Sequence, residues 1–272
     1  MATLPNPLPR LATDPSGRSL GLQLPPGRLI DETGDGPHHE PLCWLADKQA
    51  APGTWTALGA PAARAGLLPV LVETAGTQNG PESWTLLPEH TSYPGDHDPE
   101  EVLAEHWETD REAEDHGDML APFAADWPGT APAKRLTLDP GTCAARAADE
   151  LTADEHQSVF PEPRLALVPA RRSADIPAAL GWSGPVNHDN DVARLCAVLR
   201  SWEDRFGIRV VALGFDALLL SVAAPPADLA EAEAVAAEHF AFCPDNVMQG
   251  TGTLRAYAKE LVGEPTWFFW WD

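Results

Sequence analysis

Positive charge is scarce in this chain. Lys and Arg number 18 against 41 Asp and Glu, a formal net charge of −23 with His neutral. Neutralising a nucleic-acid backbone takes clustered Lys and Arg, and no such cluster occurs, so nucleic acid is excluded as a partner. An anionic membrane surface would repel the chain for the same reason. Long hydrophobic runs are also missing: the longest, residues 217–224, falls far below the roughly 20 residues that span a bilayer. The opening MATLPNPLPR has no apolar signal-peptide core, so a cytoplasmic location is expected. Cysteine is sparse. Cys43, Cys143, Cys196 and Cys243 stand far apart with no C-x-x-C pair, which fits reduced thiols better than a disulfide framework. No phosphate-binding loop, dinucleotide fingerprint, H-E-x-x-H or G-x-S-x-G occurs, and the sequence names no cofactor.

What is present is a globular composition. The 272 residues are 44% hydrophobic, enough for one large or two modest domains. The 28 prolines are about twice the usual share of roughly 5%. Residues 1–18 are Pro-rich and read as a mobile arm. Residues 19–120 read as an amino-terminal α+β domain, with apolar strands at 67–72 and 84–87 separated by a Gly- and Asn-rich turn. Asp98, Pro99, Glu100 and Glu101 open a helix that carries Val102, Leu103 and Trp107 on one face. Residues 82–118 hold thirteen acids against one base, Arg111. They present a solvated acidic face, a docking surface for a basic partner, or a cation site using His97, His106 or Asp110. Residues 121–163 contain six prolines and read as a linker with a short helix near 144–151.

The last third is clearer. A strand at 164–169 precedes a helix capped by Asp189, Asn190 or Asp191, with Val192, Leu195, Cys196, Leu199, Trp202 and Phe206 on one stripe and Gly207 as its terminator. Strands at 208–213 and 218–223 follow. Asp228 caps a second long helix that Cys243-Pro244 ends, Thr253 caps a short third helix, and Trp267-Phe268-Phe269-Trp270-Trp271 reads as a final strand. The order β-α-β-β-α-(α)-β is that of a ferredoxin-like split β-α-β antiparallel sheet, with both long helices on one face. The fold class expected is therefore α+β: a ferredoxin-like domain over 164–272 with one extra short helix, and an amino-terminal α/β region packed on it. In that topology the last strand is an edge beside the first, and an aromatic edge strand must be covered on both faces.

Four stretches in this region, Gly181-Trp182-Ser183-Gly184, Ser201-Trp202-Glu203-Asp204-Arg205-Phe206-Gly207, Glu238-His239-Phe240-Ala241-Phe242-Cys243-Pro244-Asp245-Asn246 and Trp267-Phe268-Phe269-Trp270-Trp271-Asp272, occur together in order. They resemble the bacterial domain of unknown function 4253 family over roughly residues 165–272. The resemblance implies an α+β domain in a soluble bacterial protein and carries no activity and no catalytic residue.

The best chemical constellation is His239, Cys243 and Asp245. His239 and Cys243 stand at i and i+4, so they share a helix face or converge where Pro244 frays the last turn. Cys, His and Asp form a nucleophile set and are also zinc ligands; the competing reading is a small buried thiol beside Phe240 and Phe242. Gly250, Thr251, Gly252 and Thr253 enter a helix with Arg255 one turn in, a place for a phosphate or carboxylate, or an ordinary N-cap turn. His38-His39-Glu40 with Cys43 lacks a second ligand pair and reads as a polar loop, and His188-Asp189-Asn190-Asp191 reads as capping. The absent fingerprints, the acidic segment and the ten tryptophans favour a non-catalytic protein-binding or accessory protein, of immunity or regulatory type, acting on a basic protein. The alternatives are an enzyme, hydrolase or transferase, using Cys243 and His239, and a small-anion binder at the Gly250–Thr253 loop.

Overall fold

The structure, a computed structural model, describes residues 6–76, 78–113, 117–123, 126–153 and 159–272, with 111–113 and 117 described by backbone alone. Its strands are β1 (Gly27–Ile30), β2 (Glu32–Thr33), β3 (Gly36–Pro37), β4 (Cys43–Gln49), β5 (Leu67–Val72), β6 (Arg164–Pro169), β7 (Arg209–Leu213), β8 (Ala217–Ser221) and β9 (Thr266–Trp270). Its helices are α1 (Pro9–Thr13), α2 (Thr54–Arg64), α3 (Pro99–Ala113), α4 (Pro140–Ala153), α5 (Ile176–Leu180), α6 (Val192–Phe206), α7 (Leu229–Phe242) and α8 (Leu254–Leu261).

Seven strands form one mixed sheet in the order β1-β4-β6-β5-β7-β8-β9; β2 and β3 make a separate ribbon. Among the described residues only β5 and β7 run parallel, and they pair at Leu71↔Ala212 and Val72↔Leu213. The architecture is α+β, but the ferredoxin-like order is not what the strands adopt. That order places the last strand beside the first. Here β9 pairs with β8, and β6 is flanked by β4 and β5 instead. The reason lies in β5, whose Leu67, Val70, Leu71 and Val72 are buried. An apolar strand buried on both faces needs a backbone partner on each edge, and it obtains them by entering between β6 and β7.

Each sheet face has its own core. The alternation of side chains along the strands sends Leu45, Val70, Val168, Val210, Leu220, Trp267 and Phe269 to a core shared with α3, α5, α6, α7 and α8. Trp44, Leu71, Leu165, Leu167 and Val211 go to the other, covered by α1, α2 and α4. Both long carboxy-terminal helices therefore lie on one face. Asp191 caps α6 by accepting from Ala193 N–H, and Gly207 ends it with φ 66°. Asp228 caps α7, accepting from Glu231 N–H, and Asp98 accepts from Glu100 and Glu101 N–H at the start of α3.

Three local expectations change. The stretch 84–87 makes one isolated bridge, Leu86 to Trp182, because Pro81 and Pro88 on either side supply no N–H to a ladder. The arm expected over 1–18 is packed from residue 6 onward, with Leu8 and Leu11 buried; residues 1–5 lie outside the described residues. The stretch read as a linker carries a longer helix than expected, α4, whose Ala144, Ala147 and Ala148 are buried against the sheet.

β9 alternates as expected. Trp267, Phe269 and Trp271 are buried and pack against Trp202, Phe206 and Phe242. Phe268 and Trp270 point to the other side and are half-buried. Phe268 meets Phe160 edge-to-face at 6.1 Å between ring centroids.

Candidate functional site

His239 and Cys243 are linked through two residues outside the set expected from sequence, Tyr257 and Asn246. His239 sits on α7 with no exposed surface, among the rings of Trp202, Trp267 and Phe269 at 4.9, 4.4 and 4.8 Å between centroids. Its Nδ1 lies 3.0 Å from the Tyr257 hydroxyl. That hydroxyl also accepts from Asn246 Nδ2 at 3.0 Å, while His239 Nε2 has no hydrogen-bond partner among the described residues. Burial first, and the Arg205 guanidinium second, hold His239 well below the ordinary histidine range, so it is neutral.

Cys243 follows α7 in a position where the S–H donates to Trp270 C=O at 3.0 Å, with Asn246 Oδ1 at 3.4 Å. Burial pushes the thiol far above its ordinary value. A thiolate is the nucleophilic form, and this environment opposes it. Asn246 completes the arrangement: its Nδ2 donates to Phe268 C=O at 2.6 Å, and its Oδ1 accepts from Trp270 N–H at 3.4 Å. One carboxamide thus offers β9 a donor and an acceptor, as a neighbouring strand would. Together Asn246 and Cys243 close part of the edge that an open strand leaves unpaired. Asp245 is partly exposed. Its carboxylate accepts from Gln249 Nε2 at 2.8 Å and Asp272 N–H at 3.2 Å, not from the histidine.

Next to His239, Glu238 is fully buried. Its carboxylate accepts from Ala131 N–H at 2.7 Å, Trp202 Nε1 at 2.8 Å and Arg205 Nη1 at 2.8 Å, and also from Arg205 Nη2. This pair ties residues near 131 to α6 and α7. Two signals point to these residues. Tyr257 lies on the apolar stripe Leu254, Tyr257, Ala258, Leu261 of α8, where a hydroxyl needs a partner. Glu238 lies on the buried stretch of α7, where a carboxylate needs a cation.

The glycine-bearing loop is a π-helical turn, Asn246–Thr251, leading into α8. Thr253 caps α8, accepting from Ala256 N–H at 3.1 Å, Gly252 N–H bonds Val247 C=O at 2.7 Å, and Arg255 pairs with Glu233 at 3.2 Å. Gly250 and Thr251 line a groove along β9 whose charged members are Glu260 and Glu264.

The acidic helix α3 buries Val102, Leu103 and Trp107 and is clasped from α6. His106 Nε2 lies 3.0 Å from Asp189 Oδ2, and Arg194 bonds both Asp189 and Glu105, at 2.8 and 2.9 Å. His188 stacks edge-on against His106 at 4.5 Å. Burial alone would raise Asp189, but bonds from His106, Asp191 N–H and Arg194 bring it down to about 2. Burial and then His106 lower His188 to about 4. Residues 114–116 of the acidic segment lie outside the described residues. The His38 imidazole bonds Thr33 Oγ1 at 3.0 Å, while Cys43 is buried in β4. Among the described residues no group of three His, Cys, Asp or Glu side chains is placed to hold a metal ion, and no helix is long and apolar enough to cross a membrane. No cysteine among the four is in a disulfide.

No curated protein and no solved structure matches the chain. Residues 164–272, which carry α6, α7, β9 and the His239–Tyr257–Asn246–Cys243 network, match the family model DUF4253, a domain of unknown function and the family that the four sequence motifs resemble.

Proposed function

We propose that the chain is a non-catalytic binding protein that docks a basic protein partner on the acidic face of α3. The carrying observation is that Glu100, Glu101 and Glu108 of α3 are exposed and form no ion pair among the described residues. The helix bearing them is fixed by a buried apolar face and the His106–Asp189–Arg194 clasp. A pre-positioned row of carboxylates steers a basic surface and sets register without an ordering cost. The thiol-enzyme alternative at Cys243, His239 and Asp245 would need an accessible thiolate, against the burial and hydrogen bonds just described. The anion alternative at Gly250, Thr251, Gly252, Thr253 and Arg255 would need Arg255 released from Glu233 beside an acidic groove.

Affinity capture from an extract of the source cell tests the proposal, with bound proteins identified by mass spectrometry. Wild type is expected to retain a basic protein that is released by raised salt and lost in the E100Q/E101Q/E108Q variant. Retention unchanged by that variant would overturn the reading.

A further inference from the structure

A cleft among the described residues lies away from the network on α7. It opens where β5 and β7 fail to meet. Their parallel pairing is confined to the carboxy-terminal ends, at Leu71 and Val72 of β5; further back, Pro69 has no N–H to offer. The beginnings of the two strands therefore stand open, and a cleft of about 630 Å3 occupies the gap, within the range of roughly 300–1,000 Å3 usual for small-molecule sites. Trp55, Ala60 and Ala63 of α2, with Leu68 and Pro69 of β5, give it an apolar wall. Gly59 brings that helix close: a Cβ there would stand 2.9 Å from Pro69 Cγ.

The opposite wall is cationic. Arg171, Arg172 and Arg209 line the cleft together with two acids, Asp139 and Glu203. In a chain of net charge −23 this is an unusual local balance. Both acids are engaged. Asp139 accepts from Thr142 N–H and Oγ1 at 2.8 and 2.9 Å at the start of α4. Glu203 accepts from Ala174 N–H at 3.0 Å and stands 3.4 Å from Arg209 and 3.7 Å from Arg172. Arg172 also bonds Asp204. Arg171 is exposed and has no acidic partner among the described residues. Among the described residues, its guanidinium is the one cation in the cleft with no acidic partner.

We propose that this cleft is a binding site for a small organic anion: a flat apolar body lying against the α2–β5 wall, with a phosphate or carboxylate held by Arg171 and supported by Arg209. The fork of a guanidinium matches both oxyanions. The local field of adjacent guanidiniums acts within a few ångströms, where the diffuse negative charge of the rest of the surface is screened. The site is independent of the α3 docking face, and either can fail without the other.

The probe is 8-anilinonaphthalene-1-sulfonate, an aryl body with one anionic group, titrated by fluorescence against the full chain beside its uncharged analogue N-phenyl-1-naphthylamine. One saturable site is expected for both probes. Arg171→Glu should weaken the sulfonate about tenfold or more, as loss of a charge-assisted bond implies, and leave the uncharged probe unchanged. Ala60→Trp, an exposed position on the apolar wall, should abolish both at an unchanged melting temperature. Displacement by 1-naphthyl phosphate or by 1-naphthoate supports the site and tells which oxyanion it prefers. Absence of a saturable site, a sulfonate affinity within twofold of wild type in R171E, or displacement by neither competitor would overturn the proposal.

Discussion

Truncating Glu238 to Ala is the most demanding test of how the carboxy-terminal core is held. The carboxylate has no exposed surface and accepts four hydrogen bonds, two of them from Arg205. Without it, the Arg205 charge remains on a side chain only 13% exposed, and the Trp202 indole and Ala131 N–H lose their acceptor. Breaking a buried ion pair from one side costs about 3–5 kcal/mol. The two orphaned donors push the loss to the upper end, while the bonds Arg205 keeps to Ala131 C=O and Ser201 Oγ limit it. Against a typical stability of about 5–15 kcal/mol, the variant should unfold at far lower urea, followed by tryptophan fluorescence. Glu238→Ala combined with Arg205→Met should be more stable than Glu238→Ala alone, because it removes the stranded charge. A loss below about 1 kcal/mol in the single variant, or a double variant as weak as the sum, would refute the reasoning.

Other outcomes follow from the same geometry. His188, lowered from 6.5 to about 4 by burial and His106, binds its proton more tightly in the unfolded chain. Folding stability should therefore fall as pH drops from about 6.5 to 4, by about 3 kcal/mol at roughly 1.4 per unit. His188→Gln should flatten urea midpoints across that window, and an unchanged slope would count against it. The depressed Asp189 acts in a separate window, losing its contribution only as pH falls below 3.8 toward about 2. A thiol reagent should modify Cys143 alone in the folded chain and all four cysteines in denaturant, since Cys43, Cys196 and Cys243 are buried; fast native reaction at Cys243 would contradict its bonded state. Asn246→Leu should strip β9 of its edge partner at about 2–4 kcal/mol, by leaving Phe268 C=O and Trp270 N–H unpaired, and should promote aggregation by light scattering. A variant as stable and monodisperse as wild type would show the edge to be closed by other means.

Much of the carboxy-terminal half was legible because its signals are local. Asp191, Gly207 and Asp228 act where their side-chain chemistry says they should, and the stripe from Val192 to Phe206 is buried as its spacing implies. The alternation of β9 is likewise a property of five adjacent residues. Strand order is different. The element sequence from β6 to β9 is compatible with a separate four-stranded antiparallel sheet, and nothing in it reserves a place for β5. That choice is made by the apolar run Leu67–Val72, whose partners β6 and β7 lie far along the chain and whose need for two neighbours is visible only once both its faces are known to be buried. Around 84–87 two local signals oppose each other, an apolar run that favours a strand and flanking prolines that deny it a ladder.

The site was half legible for a related reason. His239 and Cys243 at i and i+4 stand out because their side chains are reactive, yet reactivity is a property of the free group. What decides chemistry is the hydrogen-bonding capacity left over after folding. Along α7 and β9 much of it is used: Glu238 is filled by Arg205, Trp202 and Ala131, Tyr257 by His239 and Asn246, and Cys243 and Asn246 by the backbone of β9, while His239 Nε2 and Trp267 Nε1, which have no partner among the described residues, are sealed from solvent. Each bond that fixes the aromatic edge strand removes a group from the set able to meet a ligand. Capacity remains where side chains reach solvent without a partner, and two such places are the carboxylates along α3 and the Arg171 wall of the β5–β7 cleft. They are opposite in sign, so a basic surface and a small anion would each find one and be repelled by the other.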